Sequence, residues 1–175
     1  NADDTSDGSS LVISGCTNTG DFTGTYSGGI CGQLCFQKNS NTNNEIFNCH
    51  NTGIMSSDYS GGICAPNTAK NGGKVVISYC SNTTSTIMGE HSGGICGKDA
   101  GESSGIVEIK YCYNSQPIGT YGGGICGSTA GEGITIFNCY NTGNGNSSTN
   151  QGGITGNYTS ALSIYNCWSS GSDLI

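Results

Sequence analysis

Residues 74–97 read KVVISYCSNTTSTIMGEHSGGICG, and their reading decides the fold. Val75, Ile77 and Tyr79 fall two apart, the period of a strand, and end in the unit Ile77-x-x-Cys80. Asn82 and Thr83 then mark a corner. A brief apolar touch at Ile87 follows, and the stretch closes on Ser92-Gly93-Gly94-Ile95-Cys96-Gly97. Three short β segments, separated by turn residues, are predicted in about 24 residues.

The same order recurs along the chain. Ile-x-x-Cys appears as ISGCTNT from Ile13, IFNCHNT from Ile46, ISYCSNT from Ile77, IKYCYNS from Ile109, IFNCYNT from Ile136 and IYNCWSS from Ile164. The second element reads SGGICG at Ser27, SGGICA at Ser60, SGGICG at Ser92, GGGICG at Gly122 and QGGITG at Gln151. Successive cysteines of the first element are 33, 31, 32, 27 and 28 residues apart. A period near 30 with variable connectors identifies a solenoid with loop insertions. One such period cannot bury its own apolar face, whereas stacked periods place each Ile about 4.8 Å from its equivalent. The expected fold is all-β: a parallel β-solenoid of five coils and a partial sixth, with three short strands per coil. Residues 11–175 form its one domain, behind a polar N-terminal segment, 1–10. Two apolar ladders are expected, Ile13–Ile46–Ile77–Ile109–Ile136–Ile164 and Ile30–Ile63–Ile95–Ile125–Ile154. A minor apolar row is expected at Phe22, Ile54, Ile87 and Ile118. A polar ladder of Asn18, Asn51, Asn82, Asn114 and Asn141, with Ser169 in the last copy, would satisfy its amides by stacking.

Composition agrees and excludes other classes. Gly, Asn, Ser and Thr make up more than half of the 175 residues, and they are poor helix formers. With five Lys, no Arg and a net charge of −7, the chain lacks the cationic footprint of a nucleic-acid binder. No apolar run approaches the ~20 residues that span a bilayer, so no membrane span is expected.

The order I-x-N-C-Y-N-T-G, an apolar segment, then G-G-I-x-G resembles the GLUG-type repeat of microbial surface proteins, over residues 11–171. The resemblance implies a stalk-like part of an adhesin or other surface protein. Cys after Gly-Gly-Ile, in four of five copies, departs from the usual form.

Eleven Cys in a thin-cored chain read as a disulfide framework in an oxidising compartment, hence a secreted or surface location. The pairing candidates are Cys16, Cys31, Cys35, Cys49, Cys64, Cys80, Cys96, Cys112, Cys126 and Cys139. Pairing within a period joins Cys16–Cys31 and its equivalents. Pairing to the next period joins Cys31–Cys49 and its equivalents, and leaves Cys35 to serve Cys16. Cys167 is left over in both, which makes it the free or intermolecular candidate. Metal binding is the rival reading. The chain has one Cys-x3-Cys, at Cys31 and Cys35, and two His, so no metal or cofactor is expected.

No enzymatic constellation emerges. Gly101-Glu102-Ser103-Ser104-Gly105 spells G-x-S-x-G, but a strand follows it where a nucleophile elbow requires a helix. Two aromatic rows are expected on the surface: Tyr26, Tyr59, His91 and Tyr121, and His50, Tyr113, Tyr140 and Trp168. Tyr113, Tyr140 and Trp168 are candidates for stacking on sugar rings. Asn146, Asn157 and Asn82 head N-x-S/T sequons and are the candidate glycosylation sites of a glycoprotein. The expected function is a structural or adhesive surface element that is not an enzyme. Its partners are further copies of itself stacked head to tail, or surface glycans and proteins. The alternatives are a glycan-binding module, an ice-binding solenoid and a polysaccharide-active enzyme.

Overall fold

The computed structural model describes residues 10–146, 150–157 and 162–171. The expected segment 1–10 lies, but for Ser10, outside the described residues. The described chain is a parallel β-solenoid with no helix. One sheet stacks β1 (Val12–Ser14), β3 (Glu45–Phe47), β5 (Lys74–Ser78), β7 (Ile106–Lys110), β9 (Ile134–Phe137) and β11 (Ser163–Tyr165) in that order. The second stacks β2 (Thr17–Asn18), β4 (His50–Asn51), β6 (Ser81–Asn82), β8 (Tyr113–Asn114), β10 (Tyr140–Asn141) and β12 (Trp168–Ser169). All pairs are parallel and set equivalent repeat positions against one another, so that Ile46 meets Ile77 and Asn51 meets Asn82. Every coil enters with the same polarity, so no other register buries all the Ile together.

A third wall carries the Gly-Gly-Ile-Cys element. It is held by single bridges, such as Gly61↔Gly93 and Cys64↔Cys96, rather than by the continuous strands expected there. The reason is steric. A Cβ on Gly94 would run into the Gly124 carbonyl oxygen and the Asn114 amide. The glycines therefore let two coils and the Asn ladder meet at van der Waals distance. Between the walls lies the main core, which contains Ile46, Ile77, Ile109 and Ile136 from the first ladder and Ile63, Ile95 and Ile125 from the second.

Three local expectations are corrected. The Asn read as a corner residue closes a two-residue strand in the first five coils, as Ser169 does in the last, and a corner lies just before the Cys of each coil. There Gly15, Asn48, Tyr79, Tyr111, Asn138 and Asn166 adopt φ between 52° and 65° and turn the chain. Tyr79 is consequently swung out of the strand period and is 59 % exposed. In the minor apolar row, the buried residues are Met55 and Met88 beside Ile118 and Phe22, not Ile54 and Ile87. Ile87 is 48 % exposed. A one-residue slip exchanges the faces of an extended segment, and unbranched Met fills the narrow space that results.

Candidate functional site

The Asn column is the most ordered polar feature. Asn18 Nδ2 donates to Asn51 Oδ1 at 2.7 Å, and Asn51 to Asn82 at 2.7 Å. Asn82 donates to Asn114 at 2.8 Å, Asn114 to Asn141 at 2.7 Å, and Asn141 to Ser169 Oγ at 3.2 Å. The column is buried from Asn51 to Asn141. Gln116, which the sequence reading passed over, locks it from the side. Its Oε1 accepts from Asn82 at 2.8 Å while its Nε2 donates to the Met55 and Thr86 carbonyls. Gln116 sits two residues after Asn114, a place no other coil gives to Gln, and that departure from the repeat was the available signal.

The cysteines form two ladders instead of the expected lacing. All eleven are free thiols, and neither regular pairing is present. In the first ladder each thiol donates to the carbonyl two residues back, as Cys80 does to Ser78 at 3.2 Å and Cys112 to Lys110 at 3.3 Å. A longer contact reaches the Ile carbonyl of the coil before, as from Cys139 to Ile109 at 3.6 Å. Here Cys acts as a small apolar side chain with a weak donor. Burial pushes the Cys49 thiol up to about 11. Cys167 takes its place in this ladder, donating to Tyr165 at 3.4 Å.

The second ladder stacks Cys31, Cys64, Cys96 and Cys126, with Thr155 completing it. Cys35 does not reach toward Cys16, which is exposed at the far corner of the first coil. It packs instead beside the second ladder. The sulfurs of Cys31, Cys35 and Cys64 all lie within 4.8 Å of one another, and all three residues are buried. Hydrogen bonds from Cys31 and then Cys64 hold the Cys35 thiol well below its ordinary range. The opposite end of the same bond raises Cys31.

Three aromatic rows run up the surface. Tyr26, Tyr59, His91 and Tyr121 stack at 5.2, 5.3 and 4.8 Å between ring centroids. Tyr113, Tyr140 and Trp168 stack at 4.4 and 5.4 Å. The expected fourth member, His50, bonds Ser81 Oγ at 2.8 Å. A third row, Tyr79, Tyr111, Phe137 and Tyr165, was missed because Tyr79 and Tyr111 were read into the strands.

Ser103 lines an open depression of about 570 Å³ with Asp99, Glu102, Thr129 and Glu132, and no histidine is among its lining residues. Strand β7 follows it. Glu102 is paired with Lys70 at 2.6 Å and Asp99 with Lys98 at 3.2 Å. Of the sequon residues, Asn82 is buried in the amide column, whereas Asn146 and Asn157 are half-buried in connectors. No helix of the described residues is long and apolar enough to cross a membrane. Comparison with family models, with curated proteins and with solved structures finds no match for this chain.

Proposed function

We propose that this chain is a structural segment of a secreted or cell-surface stalk, built from GLUG-like coils and extended by stacking onto further coils. One observation carries the reading: side chains of every class are directed along the solenoid axis at their own equivalents. Ile meets Ile, amide meets amide, and ring meets ring. Such a molecule directs its side-chain chemistry into cohesion between coils rather than into a concave site. The outer edges of β1 and β11 carry equivalent residues, Ile13 and Ile164, so a second copy continues the register without a change of partner. Burial shields nine of the eleven thiols from oxidants outside the cell, all but Cys16 and Cys167. The stacking of Tyr113, Tyr140 and Trp168 on one another supports cohesion between coils.

Sedimentation and electron microscopy at rising concentration test this. Concentration-dependent linear growth is the expected result. Saturable glycan binding that is lost in Tyr113→Ala and Tyr140→Ala would overturn it in favour of a glycan-binding module.

A further inference from the structure

We propose that Cys31, Cys35 and Cys64 form a buried three-sulfur site for a soft monovalent cation, Cu(I), which staples the first coil to the second. The site stands or falls independently of the stalk reading.

The argument starts from the ladders. A thiol within a ladder has equivalents only above and below it, so a ladder offers sulfurs in a line. Cys35 stands off that line and closes a triangle. It is the only such group of three found among the described residues. The backbone bonds Ala69 N–H to Cys35 O, Gly101 N–H to Thr68 O and Gly131 N–H to Ala100 O set its column: Cys35, Thr68, Ala100, Ala130. All four are buried. Core packing at this position is met by Ala in the third and fourth coils, yet the first coil places a thiol there.

The donor set selects the cation. Soft thiolates favour Cu(I), zinc and iron–sulfur clusters. Structural zinc requires four ligands, and no imidazole or carboxylate joins this group. Thr68 Oγ1 lies 3.3 Å from Cys35 Sγ, but it already donates to the Ala65 carbonyl at 2.8 Å. Three-coordination by sulfur remains. A metal–sulfur bond of about 2.3 Å sets trigonal sulfurs about 4.0 Å apart. The sulfurs here lie within 4.8 Å of each other, so small side-chain rotations bring them onto the metal. The cation enters without change of oxidation state, and one proton leaves to solvent for each sulfur that binds as thiolate. Two ligands come from the first coil and one from the second. Binding therefore adds a cross-link between the first and second coils.

The test uses the full chain, reduced and kept from air, and titrated with Cu(I) as its acetonitrile complex against a Cu(I) chelator. The wild-type chain is expected to take one tightly held ion, with X-ray absorption showing three sulfur ligands. Cys35→Ala copies the residue of the third and fourth coils, so it retains the fold by circular dichroism. It should weaken that binding at least about 100-fold. Cys126→Thr, which copies Thr155 of the next coil, should leave binding unchanged. Equal affinity in wild type and Cys35→Ala, failure of the folded wild-type chain to hold Cu(I), four-coordinate zinc held in preference to Cu(I), or Cys35 found in a disulfide in the isolated protein would each overturn the proposal.

Discussion

The third and fourth coils and the two outermost coils all carry Ile at the first ladder position, yet they are held differently. Ile77 and Ile109 are fully buried, with an Ile above and an Ile below. Ile164 occupies the same ladder position in the last coil and is 42 % exposed. Strands β5 and β7 have five residues each, against three in β1 and β11. The amide column follows suit: Asn82 is bonded to the amides of both neighbouring coils and laterally to Gln116, while Asn18 bonds one column amide, Asn51, besides Gly20 of its own coil. Identical side chains thus differ in worth according to how many neighbours the stack supplies, which is the energetics of a one-dimensional array.

Substitutions at matched positions would break or sharpen this contrast. The largest effect is expected from Gly94→Ala, because the new Cβ meets the Gly124 carbonyl and the Asn114 amide from the neighbouring coil. A loss above about 4 kcal/mol, or failure to fold, is expected in denaturant titration. Gly32→Ala, where a Cβ meets nothing within 4 Å, should be near neutral. If the two cost the same, close approach of the coils is not what the glycines provide. Next comes Asn82→Ala. It deprives Asn51, Asn114 and Gln116 of a buried partner, and each unpaired group costs about 1–3 kcal/mol. The loss should exceed that of Asn18→Ala measured in the same way.

Ile109→Ala should cost about 2–5 kcal/mol, the range for a buried large-to-small change. Ile164→Ala should cost about 1 kcal/mol or less. Thermal melts of the pair decide it, and equal shifts would contradict the neighbour argument. The smallest effect concerns His91, stacked between Tyr59 and Tyr121. Burial first, then Lys98, holds its imidazole below the ordinary value of 6.5, against the opposing pull of Glu90, Asp58 and Asp99. The folded chain therefore takes up this proton less readily than the unfolded one. The contribution is present above about pH 6.5 and declines as pH falls toward the lower folded value. A denaturant midpoint that drops between pH 7 and pH 5 in wild type, and drops less in His91→Gln, is the expected result.

The architecture was legible because repeats write it many times over. The Ile ladders, the Asn column, the parallel register and the row from Tyr26 to Tyr121 follow from position in the period alone. What was not legible depends on a single residue's step or direction. Whether Ile87 or Met88 faces inward turns on a one-residue slip. Tyr79 leaves the strand because one left-handed φ precedes Cys80. The cysteines were read as pairs because spacing shows how many there are, not where each sulfur points. In the folded chain carbonyls take up the first ladder's thiols, and Cys35 meets not only Cys31, its Cys-x3-Cys neighbour, but also Cys64 of the next coil, which no spacing rule adds.

Residue-resolved amide hydrogen exchange on the full chain, at concentrations too low for copies to stack, tests the central claim most directly, that cohesion comes from neighbouring coils in register. The inner amides of Ile95 and Cys96, both bonded to the Ile125 carbonyl, should exchange slowest, through opening of the whole solenoid. The outer amides of Gly15 and Trp168, bonded to Phe47 and Cys139 across a terminal interface, should exchange much faster, with protection rising coil by coil toward the middle. Uniform protection from the first coil to the last, or the strongest protection at Gly15 or Trp168, would contradict it.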